Sequence, residues 1–161
     1  MNLPTAADIM DRSEPTFPQE LDVATAMRKL LRAKLNGVPV VDSEGRLCGM
    51  LTEQDCLKAL VRQATDGAPG ASVRDYMTTT VESVVPTTQL LDIAHLFLKR
   101  TFRKLPVVDS DGRVVGQVSR RDILKAIDSA KDNAFLYGAK DQRPGETGGV
   151  HSAMERARGK S

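Results

Sequence analysis

Two segments of the chain place apolar residues with the period of an α-helix. In the later one, the apolar positions form a single stripe and are Leu90, Ile93, Ala94, Phe97 and Leu98. An equivalent stripe lies earlier in the chain and consists of Val23, Ala26, Met27, Leu30 and Leu31. The spacing therefore predicts two amphipathic helices, each with one apolar face.

A β-branched run follows each predicted helix and is itself followed by a turn and a second run, which is the pattern of a β-hairpin. The predicted strands are Val38 to Asp42, Leu47 to Leu51, Leu105 to Asp109 and Val114 to Val118. Thr52 and Ser119 then precede apolar helical patterns, so each hydroxyl is predicted to cap another helix. The predicted order within each half is a short strand, a helix, two strands and a helix.

The two halves are copies of one repeat. Asp8 to Met10 recurs as Asp75 to Met77, and Pro39 to Ser43 recurs as Pro106 to Ser110, each at a separation of 67 residues. The same separation joins Gly45, Arg46 and Gly49 to Gly112, Arg113 and Gly116. A run of matches at one separation indicates an internal duplication.

The alignment of the copies predicts the domain organisation. The first repeat covers residues 3–66, a linker 67–72, the second repeat 73–128 and a polar, partly disordered C-terminal tail 129–161. Pro18 matches Pro86 best, which predicts a slip of one residue in register before Pro39. Because each copy is too short to bury much apolar surface alone, we expect the copies to pack sheet against sheet about a pseudo-twofold axis.

Composition excludes several classes of protein. Of the 161 residues, 40% are hydrophobic, and residues 1–128 carry 17 charges of each sign, which argues against nucleic acid or an anionic membrane as the main partner. Cys48 and Cys56 have no CxxC arrangement and no neighbouring His, which favours reduced thiols in a cytoplasmic protein over a zinc or redox site. No apolar stretch reaches the length of a membrane span, and the first residues do not resemble a signal peptide.

The common catalytic motifs are not found in the sequence, which contains no GxSxG, HExxH, P-loop or GxGxxG. His95 and His151 have no second His, Cys or carboxylate pair placed to form a metal site. We therefore expect neither a metal, nor a catalytic cofactor, nor enzymatic activity.

The repeated motifs resemble those of tandem CBS domains, the paired regulatory units named for cystathionine β-synthase. The resemblance covers residues 3–128 and includes the Asp-x-Met opening, the Pro-Val-Val-Asp strand, the Gly-Arg turn and the Gly-x-x-[Thr/Ser]-x-x-Asp close of both copies. It implies an α+β fold of two pseudosymmetric βαββα repeats with two clefts, each able to hold AMP, ADP, ATP or S-adenosylmethionine. It also implies a flat homodimer, an unknown regulated protein partner and a role in energy sensing.

The residues give their own reason to expect a ligand. Thr52 to Asp55 and Ser119 to Asp122 each join the end of a strand to the start of a helix, where free backbone amides and the helix dipole favour a phosphate. The two carboxylates could accept hydrogen bonds from ribose hydroxyls. The same pattern is also that of a capping box, in which the acid binds the amide of the cap residue. Both interpretations remain open at this point.

Basic residues distinguish the two clefts. The second copy has Arg103, Lys104, Arg120 and Arg121 where the first has Asn36, Gly37, Glu53 and Gln54. We therefore expect the Ser119 cleft to hold phosphates. By the resemblance, Lys104, Arg103 and Arg120 contact the phosphate, while Ser119 and Asp122 hold the ribose. The alternative is that the four basic side chains form a solvated surface.

The resemblance also indicates where the nucleobase lies. In the Ser119 cleft it would contact the opposite repeat at Ser13–Phe17, which includes Thr16, and at Leu35–Val38, which includes Gly37 and Val38. Pro15 in the first of these segments and Pro18 directly after it restrict backbone hydrogen bonding there. Gly37 either ends the preceding helix in a turn or permits close approach of the backbone.

The other cleft would use Thr52 and Asp55, with Thr79 to Val81, which includes Thr80, and Phe102 to Leu105 as walls for the nucleobase. Glu53 would repel a polyphosphate. We therefore expect the Thr52 cleft to be empty or to take adenosine or a less anionic ligand such as S-adenosylmethionine.

Overall fold

The structure is a computed structural model that describes residues 3–67, 69–100 and 102–129. Residues 1–120 group into one compact unit. Residues from 121 onward group into a second, of which the structure describes the chain as far as Ser129. The predicted tail, from 129 to 161, lies outside the described residues except for Ser129.

Each repeat begins with a one-turn helix that the hydrophobic pattern did not predict. The first repeat contains α1 (Ala6–Ile9), β1 (Phe17–Pro18), α2 (Val23–Ala33), β2 (Gly37–Val41), β3 (Leu47–Thr52) and α3 (Glu53–Asp66). The second contains α4 (Val73–Tyr76), α5 (Leu90–Lys99), β4 (Lys104–Val108), β5 (Val114–Ser119) and α6 (Arg120–Asp128). Both predicted hairpins are present, and α3 and α6 begin directly after Thr52 and Ser119, as predicted.

The described residues form two small sheets, one in each repeat. In the first, β1 pairs in parallel with β2, which pairs antiparallel with β3; in the second, β4 pairs antiparallel with β5. The opening strand predicted for the second repeat is only a single bridge, from Val84 to Val107. Pro86 has no amide hydrogen with which to extend it. The intervening Val85 amide donates instead to the Thr88 hydroxyl, at 3.1 Å.

The predicted slip in register between the copies is wrong. Phe17 pairs with Val40 and Val84 pairs with Val107, so both partners keep the separation of 67 residues. Pro18 is therefore equivalent to Val85 rather than to Pro86. A proline can occupy either of these neighbouring positions because the strand pairing is very short and lies at the edge of the sheet. The match between the two prolines therefore did not indicate which backbone positions are equivalent.

The acid of the Asp-x-Met motif caps a helix in each repeat. The Thr5 amide donates to Asp8 Oδ2 at 2.8 Å at the start of α1, and the Ser72 amide donates to Asp75 Oδ2 at 3.1 Å at the start of α4. Each carboxylate thus satisfies an amide that the helix leaves without a partner. This accounts for the conservation of the acid between the two copies.

The methionine of the same motif contacts the other repeat. Met77 lies over Gly49 in β3, and Met10 lies over Gly116 in β5. A Cβ atom on Gly49 would come within 2.7 Å of Met77 Sδ and 2.9 Å of the Thr78 carbonyl oxygen. Glycine is required there by this close approach, so the repeated methionine and glycine form one contact that neither copy makes alone.

The helical stripes are buried along a narrower face than the pattern predicted. Their buried members are Val23, Ala26 and Leu30 in α2, and Leu90, Ile93 and Phe97 in α5. Leu31 and Leu98 were predicted to belong to the stripes but are 66% and 83% exposed. They occupy equivalent positions at the edge of each stripe, where the surface of the helix faces solvent. Val73 of α4 is fully buried in the core of the first repeat.

The prediction that Gly37 ends the preceding helix is wrong. α2 ends at Ala33, and Lys34 takes the left-handed conformation at φ 56°, with its amide bonded to the carbonyls of the last turn. Gly37 is the first residue of β2 and pairs with Thr52.

Candidate functional site

A cavity of about 510 Å³ lies at the predicted Thr52 cleft, within residues 1–120, and is called here the Thr52 cavity. Its size falls in the range of small-molecule sites. The first repeat contributes Asn36, Gly37, Met50, Thr52, Glu53 and Gln54 to its wall. The second contributes Thr78, Thr80, Val81, Glu82, Phe102, Arg103 and Lys104. Both repeats are therefore needed to form it.

Backbone hydrogen bonds fix the two halves of this wall against each other. Met50 and Thr78 exchange two bonds, each 2.9 Å long, which attach the segment after α4 to β3. The Glu53 amide donates to the Asn36 carbonyl at 3.0 Å, which holds the start of α3 against the start of β2. Thr80 and Val81 follow the first of these attachments and reach the cavity from the second repeat.

Asp55 acts as a helix cap. The Thr52 amide donates to Asp55 Oδ2 at 2.9 Å, the Thr52 hydroxyl lies 3.0 Å from the same oxygen, and the Asp55 amide donates to the Thr52 hydroxyl at 3.3 Å. Asp55 is only 8% exposed and is not among the residues that line the cavity. The capping interpretation is thus confirmed for Asp55, while its contact with a ligand stays a prediction.

Two backbone amides that were expected to bind a phosphate already have hydrogen-bond partners. Of the first three amides of α3, that of Glu53 donates to Asn36 and that of Asp55 to Thr52. An anion at this corner would therefore compete with existing bonds. Fewer amides are therefore available to a phosphate at this corner than the sequence predicted.

Charges of both signs line the Thr52 cavity. Glu53 and Glu82 contribute carboxylates, and Arg103 contributes a guanidinium. Lys104 also lines the cavity, but its ammonium donates to Glu14 Oε1 and Oε2 at 2.8 and 2.9 Å. The wall therefore lacks a strong excess of positive charge, which disfavours a polyphosphate.

Among the residues predicted to bind a ligand, Gly37, Thr52, Thr80, Arg103 and Lys104 come together on the wall of this cavity. The sequence had assigned Arg103 and Lys104 chiefly to the Ser119 cleft. The structure places them beside Thr52 as well, as part of the wall predicted from Phe102 to Leu105.

The other predicted site residues lie elsewhere. Val38 in β2 and Leu105 in β4 are fully buried in the sheets, and Thr16 is exposed just before β1. At the start of α6, Arg120 and Arg121 are exposed, whereas Ser119 and Asp122 are half-buried. Arg121 and Asp122 belong to the second unit, so their role in a ligand site stays a prediction.

A second set of polar residues within residues 1–120 is joined by hydrogen bonds and charge and is called here the Lys104 cluster: Asp11, Ser13, Glu14, Lys104 and, through its backbone, Gln117. The Ser13 amide and hydroxyl bind Asp11 Oδ1 at 2.8 and 2.6 Å. These bonds, and more weakly the nearby Lys104 ammonium, lower the pKa of the Asp11 carboxyl. Asp11 and Gln117 exchange two backbone bonds, of 2.8 and 3.0 Å, as Thr78 and Met50 do in the other half.

Sequence reasoning missed Gln117, and it included Glu14 only within the segment Ser13–Phe17 expected beside the nucleobase. Gln117 is 2% exposed, and within the described part of the chain its Oε1 atom has no hydrogen-bond partner. The signal was present in the duplication, because Glu14 and Gln117 are equivalent to the apolar Val81 and Met50. Comparing the copies at every position lining a cleft, rather than only at the basic positions, would have found both.

The two cysteines are free, and burial raises the pKa of both thiols. Among the described residues, no three His, Cys, Asp or Glu side chains are grouped so that they could hold a metal ion. In the same part of the chain, no helix has the length and apolar character needed to cross a membrane.

The sequence model of the CBS domain matches this chain twice, at residues 6–62 and at residues 73–129. The chain belongs to the CBS domain family. This confirms the family predicted from the repeated motifs, together with the α+β fold of paired CBS repeats.

Known proteins of this family resemble the chain over most of its length. MJ1225 of Methanocaldococcus jannaschii, an uncharacterised protein, is 32% identical over 130 residues, which cover 81% of this chain and 44% of MJ1225. The chain spans less than two thirds of MJ1225 and of a 17.7 kDa protein of Acidianus ambivalens, 44% and 62% of their respective lengths.

Two solved structures of CBS pairs share the fold. The CBS-pair protein CBSX2 of Arabidopsis thaliana superposes with a TM-score of 0.72 at 30% identity, over 83% of this chain and 100% of CBSX2. The CBS pair of MJ0100, solved with 5′-methylthioadenosine and S-adenosyl-L-methionine, has a TM-score of 0.64 at 27% identity, over 79% of this chain and 98% of that one.

Proposed function

We propose that this CBS pair is a non-catalytic regulatory module that binds an adenosine-type ligand in the Thr52 cavity. The observation that carries the proposal is the cavity itself, which is of ligand size and is formed by both repeats. Two relatives support the choice of ligand, since CBSX2 has been crystallised with AMP and the MJ0100 pair with S-adenosyl-L-methionine.

The lining of the Thr52 cavity suits an adenosyl group. Met50, Val81 and Phe102 supply apolar surface for a nucleobase, and the hydroxyls of Thr52 and Thr80 can bind its polar edge or the ribose. Because carboxylates and cations offset each other on the wall, we propose adenosine or S-adenosylmethionine for this cavity in preference to ATP.

Phosphate-bearing nucleotides are assigned to the other corner of the duplication. We propose that AMP, ADP or ATP binds at the start of α6, where Arg120, Arg121 and Lys104, the strand partner of Ser119, attract the phosphate and Ser119 and Asp122 hold the ribose. The basic residues at this position are the support for that assignment, since the equivalent residues of the first repeat are Glu53 and Gln54.

Regulation would follow from a difference in ligand affinity between two geometries of a homodimer, read by a protein partner. A ligand that binds one geometry more tightly shifts the population toward it. The alternative is a CBS-pair scaffold whose clefts bind no functional ligand and whose surfaces alone contact the partner.

Calorimetric titration with adenosine, AMP, ADP, ATP and S-adenosylmethionine separates the two functions. We expect adenosine or S-adenosylmethionine to bind, and Phe102→Ala to weaken that binding by about tenfold, because an aromatic contact contributes on the order of 1 kcal/mol beyond its buried area. Leu98→Ala is the control, since Leu98 is 83% exposed and does not line the cavity.

If none of the five ligands binds, the result would favour the scaffold. Sedimentation with and without the bound ligand then tests the dimer, for which we expect a change in shape or association. A bound ligand that leaves sedimentation unchanged would contradict signalling through dimer geometry.

A further inference from the structure

The ion pair between Lys104 and Glu14 is far less exposed than five ion pairs on the protein surface. Its side chains are 13% and 20% exposed, and the lysine nitrogen lies 2.8 and 2.9 Å from the two carboxylate oxygens. The surface pairs leave both side chains at least 42% exposed; they are Arg46–Glu44, Arg62–Asp66, Arg74–Glu20, Arg100–Glu82 and Arg113–Asp111. Charges so withdrawn from water are screened little by salt, and removing either partner leaves the other charge uncompensated.

The pair places two charged side chains where the duplication has a glycine and a valine. Lys104 is equivalent to Gly37 and Glu14 to Val81; Gly37, Val81 and Lys104 itself line the Thr52 cavity, whereas Glu14 is not part of that lining. Where the first repeat offers a residue without a side chain, the second places an ammonium. Where the second repeat offers a valine, the first places a carboxylate that neutralises that ammonium.

Two further polar residues belong to the same part of the fold. Gln117, equivalent to the cavity residue Met50, is 2% exposed, and within the described residues its Oε1 has no hydrogen-bond partner. An ionised phosphate has no hydrogen to donate to this oxygen, so Gln117 does not itself support phosphate binding; the matching donor would be a hydroxyl or an amine of a ligand. Asp11 lies near enough to Lys104 for the ammonium to contribute to the lowered pKa of its carboxyl.

Glu14 belongs to a segment that can move without unfolding a helix or strand. It lies between the bridge at Asp11 and the start of β1 at Phe17, and its neighbours Ser13 and Pro15 are exposed. The contact with Lys104 joins residues 90 positions apart in the chain. Breaking it releases the Glu14 side chain to water, whereas Lys104 remains anchored in β4.

We propose that Glu14 is an internal competitor for anionic ligands, which occupies the Lys104 ammonium until a phosphate group displaces it. The proposal rests on the proposed function only in taking that phosphate to belong to an adenine nucleotide. The two carboxylate oxygens satisfy the ammonium as two phosphate oxygens would. Glu14 thereby sets the affinity of the Lys104 cluster for phosphate, and leaves the affinity of the Thr52 cavity for uncharged adenosine unchanged.

The test is calorimetric titration of wild type, Glu14→Gln and Glu20→Gln with adenosine, AMP and inorganic pyrophosphate. We expect Glu14→Gln to bind AMP and pyrophosphate about tenfold more tightly than wild type, because a charge-assisted competitor has been removed. Adenosine affinity should not change. Glu20→Gln is the matched control, since Glu20 pairs with Arg74 at 2.9 Å on the exposed surface.

A double variant tests whether the gain in affinity depends on Lys104. In Glu14→Gln with Lys104→Met, the gain for AMP and pyrophosphate should disappear; a gain that persists would overturn the proposal. Thermal denaturation of each variant establishes that it is folded before titration.

The outcomes separate this inference from the proposed function. If adenosine binds but Glu14→Gln gains nothing for AMP or pyrophosphate, the competitor is refuted and the proposed function stands. If neither adenosine nor AMP binds any variant, the proposed function fails, and pyrophosphate decides: binding to Glu14→Gln that needs Lys104 supports the competitor, and no binding overturns it.

Discussion

The Thr52 cavity and the Lys104 cluster are built on the same backbone framework, displaced by 67 residues. In each, a segment after a one-turn helix exchanges two backbone bonds with a strand of the other repeat, Thr78 with Met50 and Asp11 with Gln117. Their contents differ, because the first contains open space and the second a half-buried ion pair. The duplication therefore copied the frame of a site without copying its chemistry, which a few side chains decide.

The largest effect should come from the frame itself. Gly49→Ala should lower the free energy of unfolding by about 2–3 kcal/mol, since the new methyl group meets the Thr78 carbonyl as well as Met77. Gly116→Ala should lower the free energy of unfolding less, by about 1–2 kcal/mol, because the added Cβ atom lies 3.1 Å from the Asp11 carbonyl oxygen and the flexible Met10 side chain can adjust. Urea denaturation measures both. Equal and negligible losses would contradict the view that these contacts hold the repeats together.

Next in size is the loss of a partner from the ion pair. Lys104→Met should lower the free energy of unfolding by about 2 kcal/mol, since it removes both hydrogen bonds from the ammonium to the Glu14 carboxylate, whose side chain must then turn out to water. Arg74→Met removes the exposed pair with Glu20 and should change stability by no more than about 0.5 kcal/mol. Denaturation of the two variants at one pH provides the comparison. If both changes are equally small, burial of the Lys104 pair has no energetic consequence.

The two strand-to-helix corners should differ in nucleotide binding. Asp122→Ala should weaken AMP binding by about tenfold, the loss of one charge-assisted hydrogen bond. Asp55→Ala should weaken AMP binding less, because its corner has Glu53 and Gln54 where the other has Arg120 and Arg121 to attract the phosphate. Calorimetry on the folded variants measures both, and equal losses would refute the ranking of the clefts.

The smallest effect should come from making the second half resemble the first. Gln117→Met reproduces Met50 and removes an acceptor that lacks a hydrogen-bond partner among the described residues, so it should raise the free energy of unfolding by about 1 kcal/mol. Met50→Gln is the converse control and should lower it. A decrease in stability for Gln117→Met would show that its amide is satisfied in solution.

The sequence predicted the repeat, the hairpins and the helices that follow Thr52 and Ser119, because these depend on local periodicity and on residues close together in the chain. It failed where distant residues decide. The second opening strand shortens to one bridge at Val84, and the prolines suggested a slip that the pairing of Phe17 with Val40 contradicts.

The candidate site divides in the same way. The sequence identified Thr52, Thr80 and the segment from Phe102 as one wall, and the structure brings them together around a cavity. It could not show that Asp55 and two of the first amides of α3 are already bonded, because the capping box and the ligand site share one pattern of residues.

The sequence by itself determined the family and the duplication, since both depend on residue type and spacing. Only the tertiary structure decided which cations are available. Glu14 and Lys104 stand 90 positions apart, and no local pattern reports that folding brings them within hydrogen-bonding distance. Charge counted along a chain therefore overstates the charge a ligand meets, because the fold pairs some of it internally.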